Sequence, residues 1–233
     1  MTTLRNYHDV PLDVAGVTSA PRAVIVIQEA FGVNHHIRDV TERFAAAGYY
    51  AVAPELFHRV GSPEVAYDDF PGAMTAMAEL NADDITNDLE AAANFLGEAG
   101  FSAPSIGIVG YCMGGTVTFY AATLGLVGAA ATFYGSGVEA GRFGFPSLLE
   151  LAPQLQADWI GLYGDLDKGI PVEQVEALRI ATAATNRDTQ IVRYPDADHG
   201  FHCDARPGVY NAADAADAHQ RTLKFFSSHL HDK

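Results

Sequence analysis

Cysteine is scarce in this 233-residue chain: there are two, Cys112 and Cys203. Two thiols cannot staple a chain of this length, so a disulfide scaffold is excluded and stability must come from a hydrophobic core, which a chain of this size can build. Both are read as free thiols in a reducing compartment. No apolar run reaches the roughly 18 residues that a bilayer crossing needs. The first twenty residues, MTTLRNYHDVPLDVAGVTSA, also lack the basic stretch followed by an apolar one that marks a secretion signal. A cytoplasmic location is the expectation. Positive charge is scarce too, with 14 Lys and Arg against 29 Asp and Glu and a formal charge of −15. Such a surface repels phosphate backbones and anionic lipid, so neither nucleic acid nor a membrane is expected as a partner. Between Arg59 and Arg142 there is no Lys or Arg at all. A solvated acidic surface is the simple account of that gap, but the gap also bears on what a binding site in this region could hold.

What is present is core material. Hydrophobic residues make up 48% and charged residues 18%, an ordinary globular balance that disorder cannot match. No repeat, low-complexity tract or linker divides the chain, so residues 1–233 are read as one domain. Its segments alternate in period. AVIVIQ at 23–28 reads as a buried strand, and a helical pattern from Ile37 stops at Gly48. YYAVAPEL returns as a strand, a loop rich in Pro, Gly and Asp follows, and a helix is predicted over 83–97. PSIGIVGY, GAAATFYG, residues 157–164 and TQIVRYP at 189–195 are further strands, with helices after Met113, from Pro171, and from about Asn211 to Ser228. Strands alternating with helices predict an α/β fold, a mostly parallel central sheet with helices on both faces. In such sheets chemistry gathers at the carboxyl ends of the strands. Glu29, Cys112, Asp165, Asp167 and His199 all fall just after predicted strands.

Cys112 is the centre of GYCMGG, residues 110–115. G-x-C-x-G between a strand and a helix has the form of a nucleophile elbow, usually written with serine. Glycines two residues either side let a sharp, strained turn pass close to its neighbours. A side chain there sits at a helix N-terminus, whose dipole stabilises negative charge, and the next amide can face a developing oxyanion. An elbow nucleophile needs a base, and in the α/β-hydrolase order the acid comes next and the histidine last. Here Cys112 precedes Asp167, which precedes His199. His199 would exchange protons with the thiol and the leaving group, and Asp167 would orient the imidazole. Asp165 is an alternative acid, while Asp196 and Asp198 are expected to be solvated. His35 and His36 open a helix and are expected at the surface. His199, His202 and Cys203 lack a fourth donor at supporting spacing, so no metal is expected, and Cys203 is read as a buried bystander.

At this point the chain resembles the dienelactone hydrolase (carboxymethylenebutenolidase) family of α/β-hydrolases. The resemblance runs through VIVIQEAFGVN at 24–34, IRDVTERFAAAGYYAVAPELF, GYCMGG, GDLDKGIP at 164–171 and DADHGF at 196–201. It implies a triad of Cys112, Asp167 and His199, with Asp167 preferred over Asp165 because it lies four residues before Pro171. It also implies that Glu29 sits beside the nucleophile and takes part in switching the thiol to thiolate. Two adjacent negative charges repel, so that switch requires a rearrangement. The backbone N–H groups of Met113 and Ala30 are implied as the oxyanion hole.

The chain departs from the family where substrate is held. Characterised members grip a substrate carboxylate with arginines, one of them in the segment after the second strand, and VGSPEVAYDDFPGAMTAMAELN here has neither Arg nor Lys. Arg206 lies seven residues past His199, placed either to reach a pocket or to face solvent. The expected activity is hydrolysis of a small-molecule, dienelactone-type ester or lactone through a cysteine acyl-thioester, with no cofactor and with a carboxylesterase acting on neutral esters as the alternative that the missing arginine favours. A glutamine amidotransferase would need His-x-Glu where this chain has His199-Gly-Phe, and a thiol redox protein on the same fold would leave the ordered set unexplained.

Overall fold

The computed structural model describes residues 1–233. Eight strands form one sheet: β1 (Thr3–Tyr7), β2 (Val10–Ala15), β3 (Arg22–Ile27), β4 (Tyr49–Pro54), β5 (Ile106–Tyr111), β6 (Ala129–Phe133), β7 (Asp158–Gly164) and β8 (Thr189–Tyr194), in spatial order β1-β2-β4-β3-β5-β6-β7-β8. Pairing is parallel from β4 across to β8, and antiparallel at β1–β2 and β2–β4. The helices are α1 (His35–Ala46), α2 (Phe70–Ala78), α3 (Ala82–Glu98), α4 (Met113–Ala121), α5 (Leu148–Leu151), α6 (Val172–Ala183) and α7 (Ala212–His229). The central strands read as continuous apolar runs because both faces are covered. Helices α1 and α7 lie on one face, linked through Phe44 and Phe226, while α3, α4, α5 and α6 adjoin one another on the other. The expected α/β-hydrolase architecture is therefore observed, and 67 buried residues form one apolar cluster around the sheet. No helix is long and apolar enough to cross a membrane.

Two features differ from the sequence reading. The β1–β2 hairpin was not anticipated, because β1 is an exposed edge strand with no apolar run to signal it. Its two-residue turn, His8 and Asp9, has both residues at positive φ (49° and 67°), the backbone twist that suits a tight hairpin. The second is α2, inside the segment read as a loop. Asp69 caps it by accepting from the Gly72 amide at 3.0 Å, and Pro71 fits its first turn. Capping and tertiary contact thus make a helix where Pro and Gly suggested none.

Candidate active site

Cys112 joins β5 to α4 at φ 56° and ψ −118°, a backbone conformation that costs a non-glycine residue on the order of 1–3 kcal/mol. The turn is held by its surroundings. The Cys112 amide donates to the Phe133 carbonyl on β6 at 3.1 Å. A Cβ on Gly110 would collide with the Gly114 carbonyl and Thr118 Oγ1, and one on Gly114 with the Gln28 and Ile27 carbonyls, so both flanking glycines are required for close approach. The thiol is left half-buried at the mouth of a pocket of about 550 Å³.

The loops after β7 and β8 bring Asp167 and His199 to the same pocket. His199 Nδ1 donates to Asp167 Oδ2 at 2.6 Å, and the other oxygen of that buried carboxylate accepts from the Gly169 amide at 2.8 Å. Asp165, the alternative acid, is instead gripped by Arg193 through two contacts of 2.7 Å. Asp198 accepts from the His199 amide and so shapes the loop. Burial pulls the His199 pKa down, but hydrogen bonding to, and electrostatic interaction with, Asp167 and Cys112 outweigh it and carry the imidazole up to about 10. The imidazole is therefore protonated at neutral pH, beside the Cys112 sulfur.

Glu29 is buried; its Oε1 accepts from the Tyr134 hydroxyl at 3.3 Å and its Oε2 has no partner. Tyr134 was missed by the sequence reading. It stands at positive φ (39°), its ring centroid is 5.0 Å from that of His199, and burial with the Glu29 charge holds its phenol well above the usual range, hence protonated. The Ala30 amide has no acceptor, and the Met113 amide opens α4, where first-turn N–H groups have no intrahelical partner; both residues line the pocket.

One expectation is overturned. His36 is buried, not at the surface: its Nδ1 pairs with Asp204 Oδ1 at 3.0 Å, and its unpartnered Nε2 faces Glu29 and Cys203. The donor atoms of Glu29, His36 and Cys203 lie within 4.8 Å of one another, so the residues close enough to share a cation are these, not the His199, His202 and Cys203 set weighed from spacing. Helix α1 turns its second residue inward, which the sequence signals weakly because histidine suits either face. Cys203 is fully buried, as expected, with its thiol donating to the Tyr67 oxygen at 3.3 Å; burial and the Glu29 charge push its pKa up to about 12.

Phe31, Phe70, Ala73, Met74 and Met77 give the pocket an apolar wall, largely from α2. Arg206 reaches the pocket, with its guanidinium 5.5 Å from the Phe31 centroid. Two further cations, Arg142 and Lys168, line it as well. The empty stretch between Arg59 and Arg142 therefore does not leave the site short of positive charge, since Arg142, the residue that ends the stretch, folds back into it. Its recruitment was invisible because a loop after β6 delivers it.

A sequence model of the dienelactone hydrolase family matches residues 13–230. The chain belongs to the dienelactone hydrolase family. A protein of Salmonella typhimurium named "putative carboxymethylenebutenolidase" is 40% identical over 209 residues, covering 88% of this chain and 77% of that one. The carboxymethylenebutenolidase of Pseudomonas putida is 32% identical over 220 residues, covering 92% and 89%. The crystal structure of a Klebsiella pneumoniae protein, described as a "putative dienelactone hydrolase", superposes with a TM-score of 0.88 at 34% identity over 98% of this chain and 99% of that one. Membership of the dienelactone hydrolase family makes the chain a carboxylic ester hydrolase with a small-molecule substrate.

Proposed function

We propose that this one-domain enzyme cleaves an ester or lactone through an acyl-thioester on Cys112. The observation that carries the reading is the convergence on one pocket of a strained cysteine at a helix N-terminus and a histidine bonded to a buried aspartate at 2.6 Å. The Cys112 thiolate attacks the carbonyl carbon and its electrons move onto the carbonyl oxygen, which the Ala30 and Met113 amides receive. The tetrahedral intermediate collapses, the C–O bond to the leaving group breaks, and the His199 imidazolium gives its proton to the departing alkoxide. Neutral His199 then takes a proton from water, hydroxide displaces the thiolate from the acyl carbon, and the acid leaves. Asp167 keeps the imidazole oriented and stabilises its charged form. Glu29, which the family resemblance sets beside the thiol, would share the thiol proton when substrate arrives through the carboxylate oxygen that has no other partner.

A panel of dienelactone, p-nitrophenyl acetate and a neutral lactone, with wild type beside Cys112→Ala, tests this. Turnover should fall by about 10⁴-fold or more in the variant, the size of loss seen when a nucleophile is removed from a triad. A folded Cys112→Ala protein with wild-type turnover would exclude the thioester route.

A further inference from the structure

Arg142, Lys168 and Arg206 share the pocket that holds Cys112, and none of them lies within 4 Å of a carboxylate. This is unusual for a chain in which acidic groups outnumber basic ones two to one. Elsewhere arginines are gripped by acids: Arg193 by Asp165 and Glu176, Arg59 by Asp84 and Asp88. The two carboxylates that line the pocket are already engaged, Asp167 with the His199 ring and Asp198 with the His199 amide. Three cations thus line one cavity, and none of them is paired with a carboxylate.

They reach it from two sides. Arg206 lies over the rings of Phe31 (5.5 Å) and Tyr67 (5.8 Å), on the flank of β3. Arg142 donates to Ser136 Oγ at 2.8 Å and lies 5.3 Å from the Phe143 centroid, on the flank of β6. Ser136 is itself tied down, since its carbonyl accepts from Thr116 Oγ1 on α4 at 2.8 Å. Lys168 follows β7, beyond β6 on the same side. Because β5 runs between β3 and β6, the Cys112 thiol stands between the two cationic groups. A guanidinium resting on an aromatic face keeps its N–H edge free for a carboxylate and is pre-oriented to hold one.

Arg206 is the cation that the family resemblance already offers to a substrate carboxylate; we propose that Arg142 and Lys168, on the other side of Cys112, form a second and separate anion subsite, so that the substrate is an ester or lactone carrying an anionic group on each side of the bond that is cut. The proposal rests on the ester-hydrolase reading and adds the substrate class. The apolar wall of α2 would then cover the uncharged middle of the molecule.

Four aryl esters of matched length test it: 4-nitrophenyl hexanoate (neutral), 4-nitrophenyl hydrogen adipate (anion in the acyl part), 4-carboxyphenyl hexanoate (anion in the leaving part) and 4-carboxyphenyl hydrogen adipate (both). The ratio of variant to wild-type kcat/KM for each ester cancels differences in intrinsic reactivity. Arg142→Ala and Arg206→Ala should each cost about 10- to 100-fold on one mono-anionic ester, a different one for each variant, as loss of a charge-assisted hydrogen bond predicts. Both should weaken the dianionic ester, and the neutral ester should change far less. Arg187→Ala removes a cation at the opposite, amino edge of the sheet, and should leave all four ratios alike. Binding is read without chemistry by calorimetry of Cys112→Ala with the amide isostere of the dianionic ester, whose heat should be lost in Arg142→Ala. Equal losses on all four esters, or both arginine variants acting on the same mono-anion, would overturn the two-subsite proposal while leaving the hydrolase intact. Tight isostere binding with no ester turnover by wild type would remove the hydrolase reading and keep the subsites.

Discussion

Cys112 and Cys203, the two cysteines of the chain, are chemically identical and physically opposite. Cys112 is half-buried on a strained turn, with a helix N-terminus behind it and an imidazolium in front of it. Cys203 is fully buried beside the Glu29 carboxylate, and its pKa of about 12 keeps the thiol protonated throughout the physiological range. Thiol reactivity is set by which charges surround the sulfur and how much water reaches it. The same fold therefore opens one cysteine to a pocket beside a cationic histidine, the contrast on which the proposed nucleophile rests, and makes the other a piece of core. Glu29 is buried close to Cys203, and its charge is one of the causes that raise that thiol's pKa.

The comparison breaks first on labelling. Iodoacetamide at neutral pH should alkylate Cys112 and leave Cys203 unmodified in the folded protein, with at least about a 10³-fold difference in rate expected from the burial and raised pKa of Cys203. Mass spectrometry of the digested protein checks this, and comparable labelling of both would refute the contrast. Next, the two neighbouring aspartates should differ as sharply as the cysteines. Asp167→Asn should lower kcat by about 10³- to 10⁴-fold by misorienting the imidazole. Asp165→Asn should keep most of the activity and lose only a surface ion pair with Arg193, worth up to about 1 kcal/mol. Steady-state kinetics and chemical denaturation of the pair decide it.

Glu29→Ala should slow turnover and shift the pH dependence of Cys112 alkylation. An unchanged alkylation profile would take Glu29 out of the mechanism. The smallest effect concerns pH. His199 is raised in the folded state, so it retains its proton where the unfolded chain has lost it; that contribution to stability is full below about pH 6.5 and is lost as pH climbs toward 10. Buried His202 has the opposite sign, because burial drives its pKa well down and unfolding lets it take up a proton. Below about pH 6.5 it should cost stability at about 1.4 kcal/mol per pH unit. Urea melts from pH 5 to 10 should therefore peak near neutrality, and His202→Phe, which can keep the stacking on Tyr111, should flatten the acid side.

Much of the site was legible because it is written locally. An elbow is a short motif between a strand and a helix, and Asp167 and His199 each follow a strand whose apolar run marks where it ends. The choice between Asp165 and Asp167 was settled in space by Arg193, a residue far along the chain that captures one carboxylate and leaves the other to His199. Tyr134 and Arg142 left no trace in spacing. They reach the site because the chain after β6 carries Tyr134 to His199 and Arg142 to the pocket, and a loop's course depends on long-range contacts such as Thr116 with Ser136.

By itself, then, the order of residues determined the alternation of strands and helices, the parallel sheet, the elbow and the three side chains that meet at it, because periodicity and strand ends are properties of neighbouring residues. Tertiary structure decided which aspartate faces the histidine, that His36 turns inward toward Cys203, that α2 forms from a segment rich in Pro and Gly, and that Arg142 supplies positive charge to a pocket whose own flanking segment has none. The physical reason is common to all four: each depends on which groups from distant parts of the chain compete for the same space and the same charge, and that competition exists only once the sheet has formed.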